Sequence, residues 1–280
     1  MTVADGGTAS QDVFQGGGDV GTLMRSHDWA GTPLGDPVRW PRSLQSIVRM
    51  MLTSRYQMWM AWGEDLVFFC NDAYRPTLGV KYSWAIGQSA KVVWAEIWPD
   101  IGPLIDHVLR TGEATYSEGM LLLLERSGFK EETYHTFSYS PLFDDAGAIA
   151  GMFCVVVEET ERVINERRLE TLRKVASAAA TAKTQDELLR AVAAQLSENL
   201  TDLPFTLSYL FEANDPSARL AAFSGMEPDH PIARGALDIE DTAWPIEPII
   251  AGGSYVIVED LATRFDALPT GAWDRPPHRP

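Results

Sequence analysis

The chain is short of basic residues and of cysteine, and each shortage excludes something. Of its 280 residues, 23 are Lys or Arg and 39 are Asp or Glu, a formal charge of −16. A nucleic-acid backbone or an anionic lipid surface recruits a concentrated basic face, so this balance argues against both as partners. The two cysteines, Cys70 and Cys154, each sit within an apolar run. They read as small buried thiols of a reducing compartment, with a disulfide or redox pair as the alternative. No apolar stretch reaches the roughly 18 residues of a membrane span. The N-terminus, MTVADGGTASQDVFQGGGDVG, lacks the basic-then-apolar order of a secretory signal. The expectation is a cytoplasmic protein.

Catalytic signatures are missing as well. There is no GxxxxGK[ST] loop, no HExxH, no CxxC and no GxSxG. Gly16-Gly17-Gly18-Asp19-Val20-Gly21 is glycine-rich, but no strand precedes it, so it is not a dinucleotide fingerprint. The five histidines, His27, His107, His135, His230 and His278, never fall at ligand spacing, so no metal site is expected. Glu131 and Glu132 stand at the exit of a turn and do not face each other across a cleft, which disfavours acid–base work. No catalytic residue is assigned.

What is present is ordinary globular material, 45% hydrophobic, with enough apolar content for two domains. Residues 1–26, rich in glycine, read as a disordered leader. Residues 27–56 form an N-terminal collar and helix: HDWAGTPLGDPVRWP mixes Trp with Pro, and Pro41 opens a helical pattern at Leu44, Ile47, Val48, Met51 and Leu52. Residues 57–157 read as one α+β domain. Met58–Trp62 and Leu66–Cys70 flank a Gly63-Glu64-Asp65 turn, and Asn71-Asp72 then reads as the cap of a short helix ending at Gly79. A helix over about 99–109 stops at Gly112, and three strands follow, Ala114–Leu124, Glu131–Leu142 and Ile149–Val157. The total is a five-stranded antiparallel sheet with flanking helices.

Aromatic side chains crowd this domain. Their commonest use is a packed core, and the alternative is a cavity for a planar ligand. Alternation in Thr133–Ser140 sends His135, Phe137 and Tyr139 to one face. The candidate pocket residues are therefore Trp59, Phe69, Tyr74, His107, His135, Phe137 and Tyr139. His107 lies on the covering helix and reads either as a partly exposed histidine or as a haem ligand.

Residues 158–183 contain neither Gly nor Pro and start directly after the last strand. They read as a signalling helix, with Val163, Leu169, Leu172, Ala176 and Ala179 close to heptad spacing as a weak dimer seam. The alternative is intramolecular packing. Residues 184–280 begin with a helix capped at Thr184. Strands at Pro204–Phe211, Ala218–Phe223 and Ser254–Val258 follow, with a turn at Asn214-Asp215-Pro216. Three strands are thin for a closed sheet, and this second domain reads as incomplete.

Residues 57–157 resemble a PAS domain. The likeness rests on FFCNDAYRPTLG (Phe68–Gly79), on Ile86-Gly87, on Arg110-Thr111-Gly112-Glu113, and on the hairpin Asp144–Gly151 leading to Val157-Glu158-Glu159-Thr160-Glu161. Asp28–Met58 is similar to the region before the first sensor domain of bacterial hybrid sensor histidine kinases, and the chain after Ala182 resembles the start of a GAF domain. The resemblance implies a non-catalytic sensory input module, a homodimer that controls an output such as the histidine kinase of a two-component system. The alternative is a protein-interaction module without a small-molecule ligand. The family's flavin-adduct cysteine motif, haem histidine pattern and bilin-attachment cysteine are not matched, so the cofactor is unknown.

Overall fold

The alternation of large and small residues in Thr133–Ser140 becomes one long strand, around which the first half of the chain is built. The computed structural model describes residues 13–211, 217–238, 243–250, 252, 255–259 and 261–276. The chain divides into two compact units, one ending at Val163 and one beginning at Ile164.

In the first unit the order is α1 (Gly18–Ser26), α2 (Arg42–Thr53), β1 (Gln57–Trp62), β2 (Val67–Cys70), α3 (Arg75–Leu78), α4 (Ala90–Val93), α5 (Trp98–Thr111), β3 (Thr115–Leu124), β4 (Glu131–Phe143) and β5 (Ile149–Glu158). The five strands pair antiparallel in the order β2-β1-β5-β4-β3. This is a PAS-like α+β fold, with helices on both faces of the sheet. The last strand in sequence thus lies at the centre of the sheet. α5 stops where Gly112 takes a left-handed φ of 74° and returns its N–H to the Val108 carbonyl at 2.9 Å.

The period of two sorts the sheet's side chains. One face carries Trp59, Phe68, Phe137, Tyr139 and Cys154 and is covered by α3, α4 and α5, with Phe68 and Tyr74 meeting the Trp94 ring. The opposite face carries Met60, Phe69 and Phe153, and the collar covers it, with Phe69 stacked on Trp29 at 5.2 Å between ring centroids and edge-on to Trp40 at 5.6 Å.

The disordered leader expected over residues 1–26 does not hold for its described part, residues 13–26; the remainder lies outside the described residues. Val13, Phe14, Val20 and Met24 are buried in the core, and Phe14 stacks on Trp29. The glycines serve geometry here. Gly18 adopts φ 53°, and a Cβ at that position would fall 1.8 Å from Asp72 Oδ2. Asp72 accepts hydrogen bonds from the backbone N–H groups of Val20 (2.8 Å) and Asp19 (3.2 Å), so it caps α1 across 52 residues of chain.

Asn71 departs from its expected helix-capping role too. It makes no side-chain cap and is fully buried. Its Oδ1 accepts the Met58 N–H at 3.2 Å, and its Nδ2 lies 2.7, 3.2 and 3.3 Å from the carbonyls of Tyr56, Met51 and Ser54. One amide thereby satisfies the buried backbone between α2 and β1. Asp145, in the β4–β5 turn, caps α2 through the N–H groups of Ser43 (2.8 Å) and Arg42 (3.0 Å).

The second unit holds most of α6 (Thr160–Thr181), then α7 (Gln185–Leu196), β6 (Thr206–Phe211), β7 (Ser217–Ser224), β8 (Ala236–Asp238), α8 (Glu247–Ile250) and α9 (Leu261–Arg264). Its strands pair antiparallel in the order β6-β7-β8. Thr184 caps α7 as expected, accepting the Glu187 N–H at 3.2 Å. The strand expected at Ser254–Val258 is a correction: its described residues, 255–258, lie in no strand. The third strand is Ala236–Asp238, too short to leave a periodic signal. The turn expected at Asn214-Asp215-Pro216 lies outside the described residues.

Asn71→Ala is expected to destabilise the first unit by about 3 kcal/mol or more, because several buried backbone groups lose their partner together. Asp72→Ala should cost about 1 kcal/mol, the value of one helix cap. Urea denaturation followed by tryptophan fluorescence orders the two variants.

Candidate functional site

A small cavity of about 20 Å³ lies between the helix-covered face of the sheet and α3–α5. Of the seven pocket residues expected from sequence, Trp59, Tyr74, His135, Phe137 and Tyr139 line it. Phe69 and His107 do not. Phe69 neighbours Cys70, which shares the face of Trp59, so strand parity puts Phe69 on the opposite face under the collar. His107 is on the outer side of α5, 39% exposed, with its Nε2 3.5 Å from Glu113 Oε2.

Sequence reasoning missed Trp94, Ile97 and Ile101 as lining residues. The usable signal was the spacing Trp94, Ile97, Ile101, one face of a helical period carried through the joint between α4 and α5. Thr77 and Cys154 complete the small-residue part of the wall.

The wall is uncharged near neutral pH. Burial pushes the Tyr74 and Tyr139 hydroxyls and the Cys154 thiol well above their ordinary pKa values. Burial lowers His135 to about 4, opposed by the charge of Glu158 and assisted by that of Arg126. Thr133 donates its hydroxyl proton to the Leu122 carbonyl at 2.7 Å, so it is left to accept from His135 Nε2 at 3.0 Å. That arrangement assigns the imidazole proton to Nε2. Among the described residues, no group of three His, Cys, Asp or Glu is placed to hold a metal ion.

The strands that line the cavity also build the start of α6. His135 on β4 pairs in register with Glu158, the last residue of β5. Glu158 receives both ends of the Arg126 guanidinium, at 2.8 and 3.0 Å, and Arg126 also reaches Glu131 at 3.1 Å. Burial raises the Glu158 carboxyl, but the hydrogen bonds and charge of Arg126, with a bond from Thr160, outweigh it and leave the pKa below its ordinary value. The Thr160 hydroxyl donates to Glu158 at 2.9 Å and accepts the Tyr134 N–H at 3.0 Å. The Glu159 N–H donates to the Tyr134 carbonyl at 2.8 Å, and the Thr136 hydroxyl donates to the Glu159 carboxylate. Every residue from Glu158 to Thr160 is therefore bonded to β4 or to the β3–β4 turn.

Within the second unit, α6 turns one face inward. Arg167 forms a two-pronged pair with Asp202 (2.6 and 2.9 Å), and Thr171 accepts from Asn199 Nδ2 at 2.9 Å. Of the expected seam residues, Leu169 (67%) and Leu172 (66%) are exposed, Ala176 is exposed, and Val163 and Ala179 are half-buried.

Acid should destabilise the first unit through His135. The folded form keeps the imidazole neutral down to about pH 4, whereas the unfolded chain protonates it near 6.5, so stability is full above pH 6.5 and is lost as pH falls towards 4. The interval is worth about 3 kcal/mol. His135→Gln should flatten the slope between pH 6.5 and 4 in a series of thermal melts, and an unchanged slope would assign it to other groups.

No protein-family model and no curated protein matches the chain. Among described residues no helix is long and apolar enough to cross a membrane. Solved structures similar to it include an RNA-binding light-oxygen-voltage receptor, with 18% identity over 49% of this chain and 38% of that one and a TM-score of 0.36. The PAS domain of Bordetella pertussis BvgS is 19% identical over 46% of this chain and 96% of its own, with a TM-score of 0.31. A sensory box sensor histidine kinase from Vibrio cholerae is 17% identical over 42% of this chain and 87% of its own, with a TM-score of 0.29.

Proposed function

We propose that the chain is a sensory input module without catalytic activity, in which occupation of the cavity is passed to α6. The observation that carries this reading is the junction: the strand lining the cavity and the first turn of α6 share the hydrogen bonds of Tyr134, Thr136, Glu158, Glu159 and Thr160. A side chain displaced at His135 or Phe137 moves β4, and β4 holds the helix start. The domains in this reading are a collar over 27–56, a PAS sensor over 57–157, a signalling helix over 158–183 and a partial GAF-like domain over 184–280.

The output is a downstream domain such as the histidine kinase of a cytoplasmic two-component system, reached through a homodimer seam on α6. Exposure of Leu169 and Leu172 supports that seam, since two leucines three residues apart on a solvent face are free to bury area against a second helix. A second reading, a protein-binding module with no small ligand, is favoured by the exposed apolar side chains Tyr116, Leu121 and Val157 on the collar-side face of the sheet.

Two measurements test the relay. Arg126→Ala should speed hydrogen exchange at the Val163 amide about tenfold or more, the loss of one hydrogen bond to a charged group. Leu169→Lys combined with Leu172→Lys should convert the dimer to monomer in sedimentation, while the tryptophan fluorescence of the first unit stays the same. A dimer indifferent to the double substitution removes the seam.

A further inference from the structure

Trp94 lines the cavity and carries a buried N–H with no acceptor. Trp94 is 1% exposed, and its indole Nε1 has no hydrogen-bond partner. Three other buried indoles of the core are satisfied: Trp29 donates to the Met24 carbonyl at 2.7 Å and Trp40 to the Gly35 carbonyl at 2.9 Å, and Trp59 bonds the Cys154 thiol. A buried N–H without an acceptor is rare in a folded protein and asks for an explanation. Lys81 lies over the face of the Trp94 ring, 4.5 Å from its centroid, and its ammonium is held by Glu96 and by the Val93 carbonyl at 2.8 Å. Being a donor itself, it cannot take the indole proton.

We propose that the cavity binds a small uncharged molecule that accepts a hydrogen bond from Trp94 Nε1, through a carbonyl, ether or hydroxyl oxygen. This rests on reading the cavity as the input site and names the chemistry it takes. Three properties of the wall select the class. It has no cation to receive a carboxylate or phosphate and no carboxylate to receive an ammonium, since its ionisable members, Tyr74, Tyr139, Cys154 and His135, are neutral at pH 7. Desolvating a charge there would go uncompensated. Ile97, Ile101 and Phe137 lie in the same wall, so carbon substituents are accommodated. The volume of about 20 Å³ admits one body little larger than water as packed, so the ligand has few heavy atoms or turns an aromatic side chain aside to enter. The second course would put a moved ring directly on β4.

The test uses the full chain with 15N-labelled tryptophan, whose nine indole signals are resolved by proton–nitrogen correlation, with Trp94→Phe identifying the Trp94 signal. Three probes are titrated: acetone, a neutral acceptor; acetate, its charged counterpart; and xenon, which fills an apolar cavity without accepting a proton. The expected result is a saturable downfield shift of the Trp94 N–H with acetone and none with acetate. In Trp94→Phe, acetone binding read on the methyl signals of Ile101 and Leu122 should weaken about tenfold, the value of one buried hydrogen bond. Xenon shifts at those methyls with no acetone shift at Trp94, or equal shifts with acetate, overturn the ligand class and leave the input site standing. No shift with any probe overturns both.

Discussion

The constraint on which the first unit depends is that its last strand must occupy the middle of its sheet. β5 pairs with β1 on one side and β4 on the other, and Gly151, Met152, Phe153, Cys154 and Val156 are all buried. Gly151 passes so close to β1 that a Cβ would lie 2.3 Å from the Ala61 carbonyl oxygen. Each large side chain buried here contributes about 1.5–3 kcal/mol, and the two faces of the strand contribute to different layers. Met152, Cys154 and Val156 pack on the cavity side, while Phe153 packs under the collar. The collar and the cavity are thus two readings of one strand. Its end, Glu158, lies two residues before α6 begins.

Arg126 is what makes that end stiff. In a chain with 16 more acidic than basic charges, one guanidinium in the β3–β4 turn spans two carboxylates, from the start of β4 and from the end of β5. Its planar fork makes two parallel bonds to Glu158, a geometry a lysine cannot reproduce. The same two groups set the electrostatic surroundings of His135, so the cavity wall and the junction share charges as well as strands. The neutrality of the wall follows from burial, and the order of the junction follows from charge; both are placed by the register of β4 against β5.

The elements of the first unit from α2 onwards were legible because each had a local signal. Turn residues bounded the strands, Gly112 stopped α5, and alternation in β4 sent His135, Phe137 and Tyr139 to one face. Three of the thirteen lining residues followed from that alternation. Phe69 was misplaced because aromatic content carries no face information in a four-residue strand with every position buried. His107 was left open between a partly exposed histidine and a haem ligand, because polar neighbours on both sides of a helix position do not say which way the position points; it is partly exposed. The roles of Asn71, Asp72 and Asp145 were not legible at all. Each bonds backbone far along the chain, and a side chain that caps a helix from 52 residues away has the same sequence appearance as one that caps its own. The leader failed for a related reason. Glycine content reads as disorder until the tertiary contact that needs a left-handed residue, here Asp72 against Gly18, is known.

A small uncharged ligand of the kind proposed would deliver only a small coupling energy. One hydrogen bond and a few apolar contacts give a differential affinity of about 1–3 kcal/mol between two conformations, a shift of roughly 5- to 150-fold in their ratio. The junction is held by several bonds of about 1 kcal/mol each, with more from those to Arg126. Such a ligand cannot rupture the whole set, but it can exchange one bond for another, for example Thr160 leaving the Tyr134 N–H while Arg126 keeps Glu158. The response that fits these magnitudes is a change of helix start by part of a turn, with the strand pairing intact. Leu169 and Leu172 lie about two and a half to just over three turns further along the same helix, where in the proposed dimer a part-turn rotation would change which side chain faces the partner without requiring the helix to melt.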